Sequence, residues 1–285
     1  MLYDEKISQL HPCFGRSAAK KGRVHLPVSS SCNIQCRFCN RAFNESENRP
    51  GVASGLIVPE EADKRVVEAL ALCPDITVVG IAGPGDTLAS DEALRAFETV
   101  HKKFPQLIKC ISTNGLMLSE FAPRLKAAGV TTITVTVNAV DPEITLKIVS
   151  RVVYKGKRYD NIDGARLLAE KQLEGIRAVS EFAVIKVNTV LIPGVNDKHI
   201  GEVAQAVAAA GASMFNIIPL IPQHEFAGVM PPDCKMLDGA RSEAERYITV
   251  FRHCQHCRAD ACGVPGISEF GARLYNKSLE TFSHG

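Results

Sequence analysis

Tryptophan is absent from this chain, which by itself excludes no class of protein, and aromatic residues make up only 6% of the 285 residues. No apolar run reaches the ~18 residues that a membrane-spanning helix needs, so we expect no membrane partner. The N-terminus lacks the basic-then-apolar pattern of a signal peptide. The formal charge is only +2 and no basic stretch stands out, which argues against a nucleic-acid partner. These absences favour a soluble, cytoplasmic protein.

Cysteine, in contrast, is abundant, with 10 in the chain. In a secreted mini-protein this number would indicate disulfides, but in a cytoplasmic enzyme of this length it indicates metal binding or catalysis. The cysteines form two groups and a set of isolated residues. One group is Cys32, Cys36 and Cys39, the other is Cys254, Cys257 and Cys262, and the isolated ones are Cys13, Cys73, Cys110 and Cys234.

Short β-rich runs alternate with helical patterns from about residue 24 to residue 220. We predict strands at 24–29, 76–82, 107–113, 131–137, 182–192 and 214–219. Helices are predicted to begin at Pro59, Ser90, Leu118, Asp141 and Asp197, and the helical region from Asp141 extends with a break to about Val179. This alternation is typical of parallel βαβ units. The predicted fold class is therefore α/β, an incomplete (β/α)6 TIM-type barrel.

The length of the chain suits a single domain over residues 1–285. Within it we predict an N-terminal extension (1–23), a partial barrel (24–222) and a C-terminal extension (223–285). Both extensions are rich in proline, glycine and cysteine, and we expect them to cover the open mouth of the barrel. Active sites of such barrels gather at the C-terminal ends of the strands, where the polar motifs of this chain also fall.

The first cysteine group follows the first predicted strand with the spacing C-x3-C-x2-C. Three thiolates at Cys32, Cys36 and Cys39 can hold three irons of a [4Fe–4S] cluster and leave the fourth iron open to a substrate. Zinc is the alternative, but zinc sites usually pair C-x2-C with a second pair of ligands some distance away. The spacing therefore favours a cluster with an open iron.

Glycine-rich and polar segments lie along other predicted strands. Gly83-Pro84-Gly85-Asp86 ends the second strand, and glycine there lets the backbone approach a ligand. Further polar side chains, and the turn that begins at Ile192, lie around the same rim: Ser112, Thr113, Asn114, Asn138 and Asn188. Each of these could equally cap a helix or form a turn. Collectively they predict a ligand pocket.

The C-terminal pair Cys254 and Cys257 is a second candidate metal site. C-x2-C alone is compatible with zinc, a thiol–disulfide couple or an iron–sulfur cluster. No βαβ unit surrounds the pair, which argues against a redox motif. Cys110 and His25 lie on predicted strands beside pocket residues, and Cys110 shares a strand face with Ser112. A lone buried cysteine or histidine is more often part of the core, and that alternative stays open.

The C-x3-C-x2-C spacing resembles that of the radical S-adenosylmethionine (SAM) enzymes. Segments along nearly the whole chain further resemble one subfamily, the NifB family of nitrogenase cofactor maturases. The matching segments are His11-Pro12-Cys13, CNIQCRFCN at 32–40, ENRPGVAS at 47–54, AGPGD at 82–86, STNGL at 112–116, TVNAVDPEI at 136–144, KVNTVLIPGVND at 186–197 and CQHCRADA at 254–261. The combination is far more specific than any one motif.

The resemblance implies an enzyme that fuses two [4Fe–4S] clusters into a larger cluster with a central carbide and an added sulfur, the precursor of the nitrogenase cofactor. One SAM would donate a methyl group, and a radical from a second SAM would abstract hydrogen from that carbon. The implied cofactors are SAM and a [4Fe–4S] cluster on Cys32, Cys36 and Cys39. The implied SAM contacts are Phe38, Gly83, Pro84, Gly85, Asp86 (where the family usually has Glu), Thr113, Asn114, Asn138, Asn188 and Ile192.

The resemblance also implies two substrate clusters. Cys13, His25 and Cys110 match the ligands of one, and Cys254 with Cys257 match those of the other. The third ligand of the second cluster is Cys262, Cys234 or neither, and Cys73 is expected to be structural. Glu47, Arg258 and Asp260 are further candidates for catalytic roles, with an exposed loop as the alternative for Glu47 and Arg49.

Implied partners are iron–sulfur donor proteins, cofactor-carrier or scaffold proteins of nitrogenase assembly, and an electron donor such as ferredoxin. We expect the stand-alone form, without the carrier-like C-terminal domain of some family members. Two other functions stay open. One is a radical SAM enzyme with auxiliary clusters that acts on a peptide or small molecule. The other is a non-catalytic iron–sulfur carrier, which would leave the SAM motifs without purpose.

Overall fold

The computed structural model of this chain describes residues 5–15 and 20–275. Its strands are β1 (Gly22–His25), β2 (Ile34–Cys36), β3 (Ala42–Phe43), β4 (Val52–Ala53), β5 (Ile76–Ile81), β6 (Ile108–Thr113), β7 (Val130–Thr136), β8 (Val149–Tyr154), β9 (Lys157–Tyr159), β10 (Val184–Leu191), β11 (Met214–Pro219) and β12 (Cys262–Gly263). Its α-helices are α1 (Glu5–Leu10), α2 (Ala62–Leu72), α3 (Glu92–Lys103), α4 (Leu118–Ala127), α5 (Pro142–Ile148), α6 (Ile162–Val179), α7 (Ile200–Ala209), α8 (Cys234–Glu245) and α9 (Gly271–Tyr275). Short 3-10 helices span Pro59–Glu61 and His224–Phe226.

One large sheet has the strand order β11-β10-β7-β6-β5-β1-β12. Its first six strands are parallel, and β12 joins the edge of β1 in the antiparallel direction. The strands are runs of Val, Ile and Thr, as parallel strands covered by helices usually are. The curled sheet forms a half-barrel, which confirms the predicted fold class. Within the described ranges, none of the helices is long and apolar enough to cross a membrane.

The largest difference from the predicted elements lies between α5 and α6, where the sequence indicated a broken helical region. The chain forms a hairpin of β8 and β9 there, with Lys155 and Gly156 at its tip at φ values of 50° and 77°. β8 pairs with β2 in the antiparallel direction, so that Cys36 lies opposite Val149. The hairpin therefore pairs directly with the part of the cysteine loop that carries Cys36.

Both extensions pack onto the half-barrel. Leu10 of the N-terminal extension accepts, at its backbone oxygen, a hydrogen bond from Thr77 at the start of β5 (2.6 Å). In the C-terminal extension, β12 places Cys262 opposite Val24 of β1. One contact of the N-terminal extension with the sheet thus lies near the start of β5.

Candidate active site

The cysteine loop after β1 is held in shape by its own amides. Gln35 Nε2 donates to the backbone oxygens of Cys36 (3.0 Å) and Cys39 (3.3 Å), and Cys39 N donates to Cys36 O (3.1 Å). Cys32, Cys36 and Cys39 all line a cavity of about 180 Å³, and all three are half-buried. The other predicted residues on this cavity are Phe38, Pro84, Gly85, Asp86, Ser112, Thr113, Asn114 and Asn138.

The chemistry of these thiols fits an iron–sulfur cluster. Burial raises the pKa of Cys36 well above its usual value, and the neighbouring sulfurs of Cys39 and Cys32 raise it further. Burial, followed by the charge of Asp86, raises the pKa of Cys32 to about 11. Thiolates in this pocket therefore need a strongly positive ligand, which iron ions supply while displacing the thiol protons.

A single metal ion suits the geometry less well. In the part of the chain that the structure describes, no three His, Cys, Asp or Glu side chains converge closely enough to hold one ion. A cubane cluster differs, because each thiolate binds a separate iron atom and the sulfurs stand further apart. The donor set therefore fits a [4Fe–4S] cluster.

The glycine-rich loop after β5 packs directly on the cysteine loop. Gly85 N donates to Ser29 O (2.7 Å), and Asp86 N donates to Ser31 O (2.8 Å). A Cβ atom on Gly85 would lie 2.0 Å from Ser31 O, which no real side chain could tolerate. Glycine is therefore required there, and it brings two ligand-facing loops together.

Asp86 is a buried carboxylate whose hydrogen bonds lie within the protein. It accepts from Thr113 Oγ1 (3.0 Å), from the backbone nitrogen of Asn114 and from Leu88 N (2.9 Å). Burial raises its pKa, whereas these donors oppose the rise. Asp86 thus joins the ends of β5 and β6 at the wall of the cavity.

The remaining predicted SAM contacts lie at different places. Asn138 lines the cavity and accepts from Val190 N (2.9 Å). Gly83 adjoins Pro84 in the loop, and Ile192 is buried in the apolar cluster beside the cavity. Asn188 points into the barrel and lines a second cavity. Its side-chain oxygen accepts from Asn216 Nδ2 (3.0 Å).

Several residues that line the first cavity were not predicted, and Gln172 is among them. Gln172 of α6 lines it and is buried. Its Nε2 donates to the backbone oxygens of Asn114 (2.8 Å) and Thr136 (2.9 Å), at the ends of β6 and β7. A lone amide on the apolar face of a helix was the available signal.

The second cavity, of about 320 Å³, runs through the inside of the half-barrel. It shares Phe38, Cys39, Ala82, Ser112 and Thr136 with the first cavity, so the two adjoin. Its lining includes all five residues predicted to hold the substrate clusters: Cys13, His25, Cys110, Cys254 and Cys257. These residues come from both extensions and from two strands of the sheet.

His25 has the geometry of a metal ligand. Its Nδ1 donates to the backbone oxygen of Arg258 (2.9 Å), so the lone pair of the neutral ring lies on Nε2. Burial, together with the charge of Arg23, lowers the pKa of His25 to about 4, so the ring is neutral at physiological pH. A Cβ on Gly80 would lie 2.8 Å from His25 Cδ2, so glycine makes room for the imidazole.

Two buried cations that sequence reasoning missed also line the second cavity. Arg23 Nη2 donates to Cys257 Sγ (3.3 Å) and to Glu269 Oε2 (2.9 Å). Lys186 Nζ donates to Cys13 O (3.2 Å) and lies 4.8 Å from the ring centroid of Phe14. A charged residue inside an apolar strand was the signal for both. Their charges suit an anionic occupant of the cavity.

Other predicted residues lie away from both cavities. Cys262 is fully buried in the main apolar core, and Cys234 is exposed at the start of α8. Cys73 is buried at the end of α2, where a structural role was predicted. Glu47 is exposed and pairs with Arg49 (2.7 Å), although Arg49 itself lines the second cavity.

Arg258 and Asp260 tie the C-terminal extension to the loop that begins at β3. Arg258 Nη2 donates to Asn44 O (2.7 Å), and Arg258 Nε donates to Asp260 Oδ1 (2.8 Å). Asp260 Oδ2 accepts from Ser54 N (2.6 Å). Their contacts hold this loop in place, and neither side chain lines the first or the second cavity.

Six parallel strands form the half-barrel. Three cysteines follow its first strand, β1, and a glycine-rich loop follows β5, the next strand of the half-barrel along the chain. This arrangement is that of a radical SAM enzyme. The sequence profile described as the Radical SAM superfamily matches residues 26–207. The fold is similar to the crystal structure of SuiB from Streptococcus suis, with a TM-score of 0.60 and 12% identity over 82% of this chain and 50% of that one. The same protein bound to S-adenosylmethionine gives a TM-score of 0.58 at 13% identity over 82% of this chain and 51% of that one. The chain belongs to the Radical SAM superfamily and is a SAM-cleaving enzyme that uses a [4Fe–4S] cluster.

Relatives of higher identity define the family within that superfamily. The FeMo cofactor biosynthesis protein NifB of Methanocaldococcus infernus is 48% identical over 262 residues, which cover 90% of this chain and 86% of the relative. The protein of the same name from Methanocaldococcus jannaschii is 45% identical over 283 residues, 97% of this chain and 94% of the relative. That from Klebsiella pneumoniae is 41% identical over 266 residues, 90% of this chain and 57% of the relative. The chain belongs to the NifB family.

Proposed function

We propose that this chain acts in FeMo cofactor biosynthesis by fusing two [4Fe–4S] clusters into one larger cluster with a central carbide. The relatives named above support the biosynthetic role. One observation of the structure carries the reaction: the cavity lined by Cys13, His25, Cys110, Cys254 and Cys257 adjoins the cavity of the cysteine triad. Substrate clusters held there lie next to the place where SAM would bind.

The residues of the first cavity prepare the site for the resident cofactors. Cys32, Cys36 and Cys39 would hold the [4Fe–4S] cluster, and the loop at Pro84 and Gly85 would present its backbone to SAM. When bound, the cluster and SAM supply a one-electron cleavage of the sulfonium that yields a 5′-deoxyadenosyl radical. The partly apolar walls of the pocket limit the access of water to such a radical.

The residues of the second cavity would hold the substrates. Cys13, His25 and Cys110 bind one cluster, while Cys254 and Cys257 bind the other. One SAM would give its methyl group to a sulfur of a substrate cluster and leave as S-adenosylhomocysteine. The 5′-deoxyadenosyl radical from a second SAM would take one hydrogen atom from that carbon and leave as 5′-deoxyadenosine. The remaining hydrogens would leave as protons while the irons of the clusters supply the electrons that complete the carbide, and an external sulfur donor would supply the added sulfur. A neutral imidazole is easier to displace than a thiolate, so His25 can leave when the clusters fuse.

The buried cations complete the second cavity. Clusters of iron, sulfide and thiolate are anionic, and a buried anion requires a nearby counter-charge. Arg23 and Lys186 supply that charge beside Cys257 and Cys13.

We further propose that residues 1–285 act as one domain in the cytoplasm. In that setting the chain receives clusters from an iron–sulfur donor and electrons from a ferredoxin-type protein, and it passes product to a carrier or scaffold of nitrogenase assembly.

The test follows the methyl carbon. Reconstituted protein receives a reductant and SAM labelled with ¹⁴C in the methyl group, and the product cluster is extracted. We expect label in the extracted iron–sulfur product and 5′-deoxyadenosine in solution. Cys36→Ala should abolish SAM cleavage, and Cys110→Ala should permit cleavage but form no labelled product.

Cys234→Ala is the matched control, because that cysteine is exposed and lines neither of the two cavities. It should keep both activities. Label that appears in a peptide or small molecule instead, or normal product from Cys110→Ala, would contradict the proposed reaction.

A further inference from the structure

His11 is a buried side chain of the second cavity with no role so far. It is 2% exposed and lines the cavity together with Cys13, Cys110 and Lys186. Its ring packs against Phe14 with a centroid distance of 4.5 Å. The imidazole is therefore fixed in orientation at the wall of the proposed substrate site.

The hydrogen bonds of His11 define its tautomer. The backbone nitrogen of Cys13 donates to Nδ1 (3.1 Å), so Nδ1 carries a lone pair and no proton. In a neutral ring the proton is then on Nε2. Among the described residues this buried Nε2 has no hydrogen-bond partner. A buried donor of this kind is costly unless something in the cavity accepts its hydrogen bond.

His11 and His25, two of the three histidines that line the cavity, are thus opposite in chemistry. His25 donates from Nδ1 to a carbonyl and offers a lone pair at Nε2, as a metal ligand must. His11 accepts at Nδ1 and offers an N–H group at Nε2. An N–H group cannot bind iron, but it can donate to a sulfur atom.

We propose that His11 Nε2 donates a hydrogen bond to a sulfur of the substrate cluster held by Cys13, His25 and Cys110. The inference rests on the proposed function, since it needs that cluster as the acceptor. Hydrogen bonds to sulfur help to set the reduction potential of a cluster. This bond stabilises the more negative, reduced cluster and therefore raises its potential. His11 is in this sense a positioning and tuning residue.

Two variants separate the two nitrogens of His11. In His11→Asn, Oδ1 can still accept from Cys13 N, but the N–H group at Nε2 is lost. In His11→Gln, the longer amide places an N–H group near the original Nε2. A purely structural role of His11 would make Asn the milder change, whereas the proposed role makes Gln the milder one.

The measurement is the midpoint potential of the substrate cluster that Cys13, His25 and Cys110 would hold. Both variants are made in a full-length chain in which the triad and the tail pair are replaced: Cys32, Cys36, Cys39, Cys254 and Cys257→Ala. After anaerobic reconstitution this chain should hold about four irons, the content of one cluster. We expect His11→Asn to load the same iron and to shift the potential to a more negative value, and His11→Gln to restore most of the shift.

His101→Asn in the same chain is the matched control, because His101 lies on α3 outside both cavities. The midpoint potential of the cluster should stay unchanged in this variant. An unchanged potential in His11→Asn, or equal shifts in the Asn and Gln variants, would overturn the inference while leaving the cluster site intact. If the chain with native His11 takes up no iron, the proposed ligand set itself is wrong, and the inference falls with it.

Discussion

Asp86 is a buried carboxylate at the wall of the first cavity. It accepts hydrogen bonds from Thr113, Asn114 and Leu88. Two of these partners lie 27 and 28 positions away along the chain, so this single side chain joins segments that are distant in sequence.

We expect Asp86→Asn to lower the free energy of unfolding by about 1–3 kcal/mol, because an amide cannot accept from all three buried donors. Urea denaturation of the cluster-free protein measures the change. Asp91→Asn is the matched control, since Asp91 is exposed and pairs with Arg124 (2.7 Å), a surface contact worth at most about 1 kcal/mol. Equal losses in the two variants would show that the buried donors of Asp86 contribute little.

At the scale of elements, patterns of apolar residues predicted most of the half-barrel. The prediction of β11 at 214–219 matches the structure, and the helix predicted at Pro59 begins as a 3-10 turn that continues as α2. The hairpin of β8 and β9 was missed because its stability comes from pairing with β2, which is distant in sequence. Pairing of that kind leaves no periodic signal in a local window.

The contact between the glycine loop and the cysteine loop can be tested through Gly85. We expect Gly85→Ala to force the two loops apart, because its Cβ would meet the backbone of Ser31 at 2.0 Å. Cys32 lies next to Ser31, so the variant should lose iron from the triad, about four irons per chain. Iron analysis after reconstitution measures this loss.

Gly228→Ala provides the comparison for Gly85→Ala. A Cβ on Gly228 would meet nothing within 4 Å, so this variant should keep its full iron content. A Gly85→Ala protein with the same iron content as Gly228→Ala would mean that the close contact between the loops is not needed to hold the cluster.

At the scale of the whole molecule, the second cavity forms only where both extensions of the chain meet the sheet. Its candidate ligands come from the N-terminal extension, β1, β6 and the C-terminal extension. The family resemblance identified Cys13, His25 and Cys110 as a set. The buried cations Arg23 and Lys186 were not foreseen, because neither forms a motif and both act through partners far along the chain.

Arg258 connects the C-terminal extension to the loop near the mouth, and Arg258→Ala tests this connection. The variant loses hydrogen bonds to Asn44, Ser54 and Asp260. We expect the loop to open more often, so that limited proteolysis between residues 44 and 51 becomes about tenfold faster, equivalent to roughly 1.4 kcal/mol of local stability. Arg252→Ala, which removes exposed pairings with Glu245 and Asp238 away from this loop, should leave the rate unchanged. Equal rates of proteolysis in both variants would show that the loop stays closed without the hydrogen bonds of Arg258.

We propose that one chain holds three clusters, one at the triad and two in the adjoining cavity. Iron and acid-labile sulfide per chain, with zinc measured alongside, test this proposal. After anaerobic reconstitution we predict about twelve irons in the native chain and about eight when Cys32, Cys36 and Cys39 are all replaced by Ala. About four irons in the native chain and none in the triple variant would leave only the triad cluster and contradict the claim.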